Sequence, residues 1–235
     1  MLNEVVSYLK PGPGNLFVDG TLGLGGHAVV ILDLIGAQGR LIGIDRDAQA
    51  LDIAQKKVMN RPGQCDLVHE NYCHMDKVLA RLGIPQVDGI LLDLGLSSFQ
   101  LDDPLRGFGF REEGPLDMRM DQSSHITAFD LVNGLSEMEI STILKDFGQE
   151  RWHYRIARFL VAQRSKKPIE TTKELSDIVL RAMPRYASRE RIHPATRTFQ
   201  AFRIAVNREL EELEEALEKC VSCLKVGGRI GVIAF

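Results

Sequence analysis

The sequence predicts an α/β protein with a doubly wound, mostly parallel Rossmann-like sheet and an inserted helical subdomain. Short apolar runs alternate with segments of helical pattern over the first hundred residues, which favours parallel strands joined by right-handed helical crossovers. A glycine-rich loop separates the first apolar run from the first helical segment. Strand-like patterning stops after Asp103 and returns only at Ile230, which indicates that helices interrupt the sheet.

The elements of the first part of the sheet follow from the apolar runs and the turn residues between them. Asp47 directly precedes a helical pattern and is expected to cap it, because aspartate there accepts a hydrogen bond from a free backbone N–H. The run at 87–93 is apolar enough for a parallel strand buried on both faces. In chain order, the predicted elements are strand 16–19, helix 26–34, strand 40–45, helix 47–59, strand 67–69, helix 75–82 and strand 87–93.

The pattern changes after Asp103. Residues 104–124 show no clear period, and the following segment is helical, with candidate helices at 128–133, 136–146, 150–164 and 172–183. An apolar stripe from Phe199 to Leu224 predicts one long amphipathic helix over about 195–224. A buried strand is expected at 230–235. The sequence therefore predicts a discontinuous domain of 1–103 and 195–235, with 104–194 inserted as the helical subdomain.

Composition limits the class of protein. The chain has 235 residues, 44% of them hydrophobic and 26% charged, with a net charge of −3, so collagen-like, mucin-like and disordered classes are excluded. Four cysteines are sparse for a secreted protein, and the first residues do not resemble a signal peptide, so a cytoplasmic location is expected. No apolar run approaches the roughly 18 residues of a membrane span, and no membrane partner is expected.

Basic residues concentrate in one segment. Between Arg151 and Arg208 there are 14 Lys and Arg and only 4 Asp and Glu, and a Glu-rich stretch follows at 209–218. A basic segment on a mildly acidic chain indicates a surface that faces a polyanion. The alternative from charge alone is a set of solvated helix faces.

The glycine-rich loop at 19–27, DGTLGLGGH, indicates a nucleoside-containing ligand. Its glycines let a ligand approach the backbone at the start of a helix, and Asp45 follows at the end of the next strand, where an acid can bind ribose hydroxyls. The loop also fits a loose dinucleotide pattern. Asp19 favours S-adenosylmethionine over NAD, because a carboxylate attracts an ammonium group and repels a pyrophosphate.

Further motifs resemble one enzyme family over essentially the whole chain. The matching blocks are 19–27 (DGTLGLGGH), 89–98 (GILLDLGLSS), 100–102 (QLD), 106–108 (RGF), 114–121 (GPLDMRMD) and 193–204 (HPATRTFQAFRI). In this order they resemble the bacterial 16S ribosomal RNA (cytosine-N4)-methyltransferases, the MraW-type enzymes. The resemblance implies S-adenosylmethionine as methyl donor and a cytidine of small-subunit ribosomal RNA as substrate.

The resemblance also implies which residues bind the methyl donor. The cofactor-binding positions carried over from the family are Gly25, Gly26, His27, Asp45, Tyr72, Asp93 and Gln100. Tyr72 stands where the family more often has phenylalanine, and it keeps an aromatic face for the adenine. Asp93 begins an Asp-Leu-Gly-Leu segment, whereas many amino-methyltransferases have Asp/Asn-Pro-Pro-aromatic there. That departure leaves the proton acceptor for methyl transfer unassigned.

The family's helical insertion, which matches about 104–194 here, implies an RNA-holding role. Candidate RNA contacts are Arg119, His193, Arg197 and Arg203. The alternative for each is a structural role, in which Asp117 and Arg119, or Arg197 and a nearby acid, pair and only fix the insertion. The expected partner is naked small-subunit ribosomal RNA or the assembled small subunit. The sequence leaves the oligomeric state open, with a homodimer among the alternatives.

Two competing interpretations accompany the methyltransferase hypothesis. Family members continue past the position of Phe235, so carboxyl-terminal strands are expected to be missing, and an inactive RNA-binding or ribosome-associated remnant is the alternative function. An NAD-dependent oxidoreductase is disfavoured by Asp19. Cys220 and Cys223 have metal-ligand spacing, but they lie on a helical stripe without a second Cys/His pair, so packing is expected there and no metal site.

Overall fold

The computed structural model describes residues 1–184 and 192–234. The strands are β1 (Leu16–Asp19), β2 (Arg40–Asp45), β3 (Gln64–His69), β4 (Val87–Asp93) and β5 (Leu224–Ile233). The helices are α1 (Leu2–Leu9), α2 (Gly26–Ile35), α3 (Ala48–Val58), α4 (Met75–Arg81), α5 (Ser98–Asp102), α6 (Ala128–Gly134), α7 (Glu137–Asp146), α8 (His153–Arg164), α9 (Thr172–Ala182), α10 (Thr196–Asn207) and α11 (Glu209–Cys223). Across the described residues, no helix combines the length and apolar composition that a membrane span requires.

Residue contacts divide the chain into two compact units. The sheet unit comprises Met1–Ser97 with Leu210–Phe235, and the helical unit comprises Ser98–Glu209. These limits differ from the expected 1–103 with 195–235 and 104–194. The largest difference concerns α10, which the sequence assigned to the sheet domain but which packs against α6 and α7. Its Phe199 and Phe202 are buried and belong to the interior of the helical unit.

The sheet is five-stranded and wholly parallel, in the order β3-β2-β1-β4-β5. Along each strand, successive side chains point to opposite faces of the sheet. Phe17, Leu41 and Leu91 contact the core beneath α1, α2 and α3, whereas Val18 and Ile90 contact the core beneath α4 and α11. Helices therefore cover both faces, which confirms the predicted doubly wound α/β class.

The irregular segment before α6 depends on close backbone approaches at two glycines. A Cβ atom on Gly114 would lie 1.8 Å from the carbonyl oxygen of Pro104, and one on Gly107 would lie 2.2 Å from that of Pro115. Gly107 also has a φ of +73°, a conformation that side-chain-bearing residues rarely adopt. The Arg106 side chain is buried beside them and donates through Nη2 to the carbonyl oxygens of Arg119 and Met120.

We expect Gly114→Ala to destabilise the helical unit by about 1–3 kcal/mol or more, because the new methyl group collides with backbone rather than with a flexible side chain. Urea unfolding followed by circular dichroism measures the change. Gly134→Ala is the matched control, since Gly134 lies at the end of α6 and a Cβ atom added there would meet no atom within 4 Å. Equal unfolding midpoints for the two variants would contradict this account of the segment.

The expected single helix over 195–224 is wrong, because Arg208 interrupts it. Arg208 has φ 49° and ψ 36°, so α10 ends at Asn207 and α11 begins at Glu209. Tertiary contacts stabilise this break. The Asn207 amide donates to the carbonyl oxygen of Met118 and accepts from the N–H of Met120, both at 2.7 Å.

The last strand begins earlier than predicted. β5 starts at Leu224 rather than Ile230 and pairs with β4, with a register shift between Val87 and Gly89. Gly227, at φ +82°, provides the local turn, which explains why a Gly-Gly pair occurs inside a strand. The predicted last strand residue, Phe235, lies outside the described residues. β3 likewise begins at Gln64 rather than at the predicted Leu67.

Candidate functional site

Three aspartates lie where neighbouring parallel strands end. Asp19, Asp45 and Asp93 are the last residues of β1, β2 and β4. β1 lies between β2 and β4. From β1 the chain first adds β2 and β3 on one side of the sheet and then crosses to add β4 and β5 on the other side. In open parallel sheets, ligands bind at this kind of switch point, beyond the carboxyl ends of the strands. The fold therefore gathers the three predicted acids at one edge of the sheet unit.

The glycine-rich loop leaves space for a ligand beside these acids. Gly23 and Gly25 have φ of +51° and +78°, and Gly25 directly precedes the first turn of α2. A Cβ atom on Gly26 would meet no atom within 4 Å, so open space adjoins the start of the helix. Free backbone N–H groups at a helix start can donate to a ligand in that space.

Asp45 organises the loop with both carboxylate oxygens. Oδ2 accepts from the N–H of Gly23 at 2.6 Å, and Oδ1 accepts from the N–H of Asp47 at 2.8 Å. Burial raises the pKa of Asp45 above its ordinary value. Each carboxylate oxygen has a second acceptor position, so Asp45 can hold the loop and still accept from a pair of ligand hydroxyl groups.

Asp19 is the most perturbed acid of the site. It is almost fully buried, and its carboxylate accepts from the N–H of Thr21 at 3.3 Å. The pKa of Asp19 is raised to about 7, mainly by burial and in part by the charges of Asp45 and Asp93, while the hydrogen bond from the Thr21 N–H and the charge of His27 oppose the rise. The sheet unit therefore holds a buried acid that loses its proton near neutral pH. A cationic ligand group beside it would stabilise the charged form.

His27 connects α2 to the end of β4. Its Nε2 lies 3.4 Å from Oδ2 of Asp93, and this interaction raises the pKa of His27 above its ordinary value. The other ring nitrogen, Nδ1, is buried without a hydrogen-bond partner among the described residues. An unpartnered buried ring nitrogen is costly unless a ligand or water bonds to it, so His27 is suited to contact a bound molecule.

Sequence reasoning missed two residues that support the site. Thr21 accepts from the backbone N–H of Asp93 at 2.6 Å, which joins the loop to β4. Arg46 places its guanidinium 5.5 Å from the centroid of the Tyr72 ring and pairs with Glu212 of α11. Their positions in the sequence could have indicated these roles, since Thr21 lies in the glycine-rich loop and Arg46 directly follows Asp45.

The predicted aromatic position, Tyr72, lies in a short 3-10 turn after β3 and is buried in the core of the sheet unit. Asn71 caps this turn by accepting from the N–H of Cys73 at 3.0 Å. Six of the seven predicted cofactor positions thus lie in the sheet unit. The seventh, Gln100, lies in α5 of the helical unit.

Two of the four predicted RNA contacts are engaged in ion pairs within the helical unit. Arg119 forms a bidentate pair with Asp117, at 2.8 and 2.6 Å, and also donates to two backbone carbonyls. Arg203 forms a bidentate pair with Glu209, at 2.7 and 2.9 Å. These contacts fix the segment before α6 and the junction after α10. They correspond to the structural alternative that the sequence left open for such arginines.

The other two candidates lie at the start of α10. His193 is exposed and stacks on Phe110, with ring centroids 4.5 Å apart. Arg197 is half-buried in the first turn of α10. Arg185, Arg189 and Arg191 of the basic segment lie outside the described residues.

The cysteines contribute to packing. All four are free thiols, and three of them, Cys73, Cys220 and Cys223, are buried in the core beneath α4 and α11. Burial raises the pKa of the Cys220 thiol to about 11. These thiols therefore remain protonated at neutral pH and act as small apolar groups.

Comparison with known proteins gives one consistent family. The sequence matches the model of the MraW methylase family over residues 1–235. It is 49% identical over 233 residues to a ribosomal RNA small subunit methyltransferase H of Geobacter sp. strain M21, covering 99% of this chain and 75% of that protein. Proteins of the same name from Geobacter sulfurreducens and Heliobacterium modesticaldum are 52% and 48% identical, each again covered over 75% of its length, with 99% and 100% of this chain aligned.

Proposed function

Because the chain belongs to the MraW methylase family, we propose that it methylates the N4 amine of a cytidine in small-subunit ribosomal RNA. S-adenosylmethionine, which carries a methyl group on a positively charged sulfonium, is the methyl donor. The observation that best supports this proposal is the group of three strand-end carboxylates, two of which, Asp19 and Asp93, interact with His27. Such a group attracts a ligand with ammonium and sulfonium charges and repels a pyrophosphate.

The residues of the sheet unit fit the parts of this methyl donor. We assign Asp45 to the ribose hydroxyls, because its two oxygens keep free acceptor positions, and Asp19 to the ammonium group. Tyr72 and Arg46 form the flat surface for the adenine. The backbone of Gly26 lines the open space before α2, and His27 follows it in the first turn of the helix. Asp93 completes the proposed set within the sheet unit.

The N4 amine of cytosine imposes a demand on the protein. Its lone pair is delocalised into the ring, so the amine is a weak nucleophile and has to be oriented toward the methyl group. A proton must also leave the nitrogen as the new bond forms, and a carboxylate or carbonyl can accept it. We assign the RNA-holding role to the helical insertion and expect the target cytidine to be splayed out of its stack.

Nucleoside analysis tests the proposal. The chain is incubated with methyl-labelled S-adenosylmethionine and small subunits from cells that lack this modification, and the RNA is digested to nucleosides. We expect the label in N4-methylcytidine. Label in another nucleoside would contradict the proposed position. Absence of label, with the donor bound and known methyltransferase H active on the same subunits, would favour the inactive remnant. The same assay on protein-free ribosomal RNA shows whether naked RNA or the assembled subunit is the preferred substrate.

A further inference from the structure

Helix α8 presents an exposed face of cations and one aromatic ring. Arg151, just before the helix, and Arg155 and Arg158 within it are exposed, and Tyr154 is 61% exposed. Positions 151, 154, 155 and 158 follow the spacing that places residues on one side of a helix. The opposite side is buried, with Ile156, Ala157 and Leu160 at 0% exposure.

Among the described residues, no acid pairs with the arginines of this face. The stretch 151–167 contains six Lys and Arg and no Asp or Glu. Within residues 1–184 and 192–234, no carboxylate lies within ion-pair distance of Arg151, Arg155 or Arg158. This distinguishes them from Arg119 and Arg203, whose guanidinium groups are taken up by Asp117 and Glu209.

Three acids elsewhere in the helical unit are engaged in local contacts. Asp130, Glu139 and Glu174 each bond to the residue that caps their own helix, and Glu174 also pairs with Lys167 at 3.0 Å. These carboxylates stabilise helix starts, so they do not neutralise the stripe on α8. Soluble helices usually mix both signs on their exposed faces, and a single-sign stripe favours an anionic partner.

Aromatic rings accompany the cations. The Arg151 guanidinium lies 5.2 Å from the centroid of the Trp152 ring, and that of Arg155 lies 5.6 Å from the Phe159 ring. These contacts restrict the guanidinium groups. Tyr154, between the two arginines in the sequence, is 61% exposed, and its ring lies beside that of His153, with centroids 4.4 Å apart. Cationic grooves interleaved with aromatic rings are typical of single-stranded nucleic acid binding, where phosphates pair with the cations and bases stack on the rings.

We propose that the stripe Arg151–Tyr154–Arg155–Arg158 is a contact surface for single-stranded RNA. The inference rests on the proposed function and assigns part of its substrate contact to α8. Seven residues of helix rise about 10 Å, so the three guanidinium groups are spread far enough apart to pair with successive phosphates of one strand. A bilayer is disfavoured as the partner, because the apolar side of α8 is buried in the protein and cannot insert into lipid.

Substitution of the stripe tests this assignment. The probe is an unstructured single-stranded oligoribonucleotide of about 20 nucleotides, with fluorescence anisotropy measured over a range of salt concentrations. In the triple variant Arg151→Gln, Arg155→Gln, Arg158→Gln, we expect affinity to fall on the order of 10- to 100-fold and the slope of log K against log salt to flatten by about 2. Tyr154→Ala should lower affinity about tenfold and leave the salt slope unchanged.

Two matched variants control for net charge and for folding. The first control is a triple variant that removes three exposed cations from the sheet unit, Lys56→Gln, Lys57→Gln and Lys77→Gln. This variant should bind RNA with the affinity of the wild type. Replacing the three arginines by lysine keeps the charge and should retain the salt slope. All variants should bind S-adenosylmethionine normally, which shows that the sheet unit is folded.

Several outcomes would overturn the inference. Wild-type RNA affinity in the glutamine variant would exclude the stripe as an RNA contact, and an equal loss in the Lys56, Lys57, Lys77 variant would mean that only net charge matters. Stripe-dependent binding to phosphatidylserine vesicles without an effect on RNA would assign the surface to membranes. Methyl transfer by the wild type to small subunits is measured in parallel. Absence of methyl transfer would refute the proposed function, but it would leave the assignment of this surface to RNA binding intact.

Discussion

Replacing Asp45 by alanine should lower affinity for S-adenosylmethionine by at least on the order of 100-fold. The variant loses two acceptors for ribose hydroxyls, and hydrogen bonds to a charged group contribute about 1.5–3 kcal/mol each. It also loses the bonds that hold the loop through the N–H groups of Gly23 and Asp47. Isothermal titration calorimetry of the wild type and the variant measures the difference.

Folding of the Asp45→Ala variant should be retained, because removing a buried carboxylate also removes its desolvation cost. Asp52→Ala is the matched control, since Asp52 is an exposed acid on α3 of the same unit. Asp45→Asn keeps one carbonyl acceptor and should bind with intermediate affinity. Unchanged affinity in a folded Asp45→Ala protein would refute the assignment of the ribose site.

Replacing Asp19 by asparagine should have opposite effects on stability and on binding. Burial raises the pKa of Asp19 from 3.8 to about 7 in the folded protein. A raised carboxyl pKa means that the contribution of Asp19 to the free energy of unfolding is greatest below about pH 4 and is lost as the pH rises from there to about 7. Asparagine mimics the neutral form, so the variant should be more stable than the wild type at pH 8, on the order of a few kcal/mol.

Binding should show the reverse dependence. Donor binding by the wild type should strengthen between pH 6 and pH 8, as Asp19 ionises and can pair with the ammonium group. The Asp19→Asn variant should bind weakly, with a flatter pH profile. Urea unfolding and calorimetry at pH 5, 6, 7 and 8 measure both quantities, with Asp52→Asn as the control. Parallel pH profiles for wild type and variant would contradict the role assigned to Asp19.

The sequence predicted the sheet and its edge well, because these depend on local patterns. Apolar runs specify β1, β2 and β4, and each of them ends in an aspartate. Parallel strands bring such residues to one edge wherever the strands neighbour each other. The three acids could therefore be placed together without coordinates. The pKa of Asp19 could not be predicted, since it depends on burial and on the charges of Asp45, Asp93 and His27.

Features that depend on tertiary contacts were missed. The apolar stripe of α10 continues into α11, so periodicity indicated one helix. The break at Arg208 depends on contacts that Asn207 makes with residues nearly ninety positions away. Whether an arginine is paired with an acid also depends on tertiary contacts. Charge counting located a basic segment, but only geometry separates the paired Arg119 and Arg203 from the stripe on α8.

The central claim is that the acid-rich edge of the sheet unit binds S-adenosylmethionine. Calorimetric titration of the 235-residue chain with S-adenosylmethionine, and with NAD as the competing ligand, tests it most directly at pH 8. We predict binding of the methyl donor near micromolar Kd, about −8 kcal/mol, with a raised unfolding temperature and no heat from NAD. Tighter binding of NAD, or no binding of the methyl donor by a cooperatively folded chain, would contradict the claim.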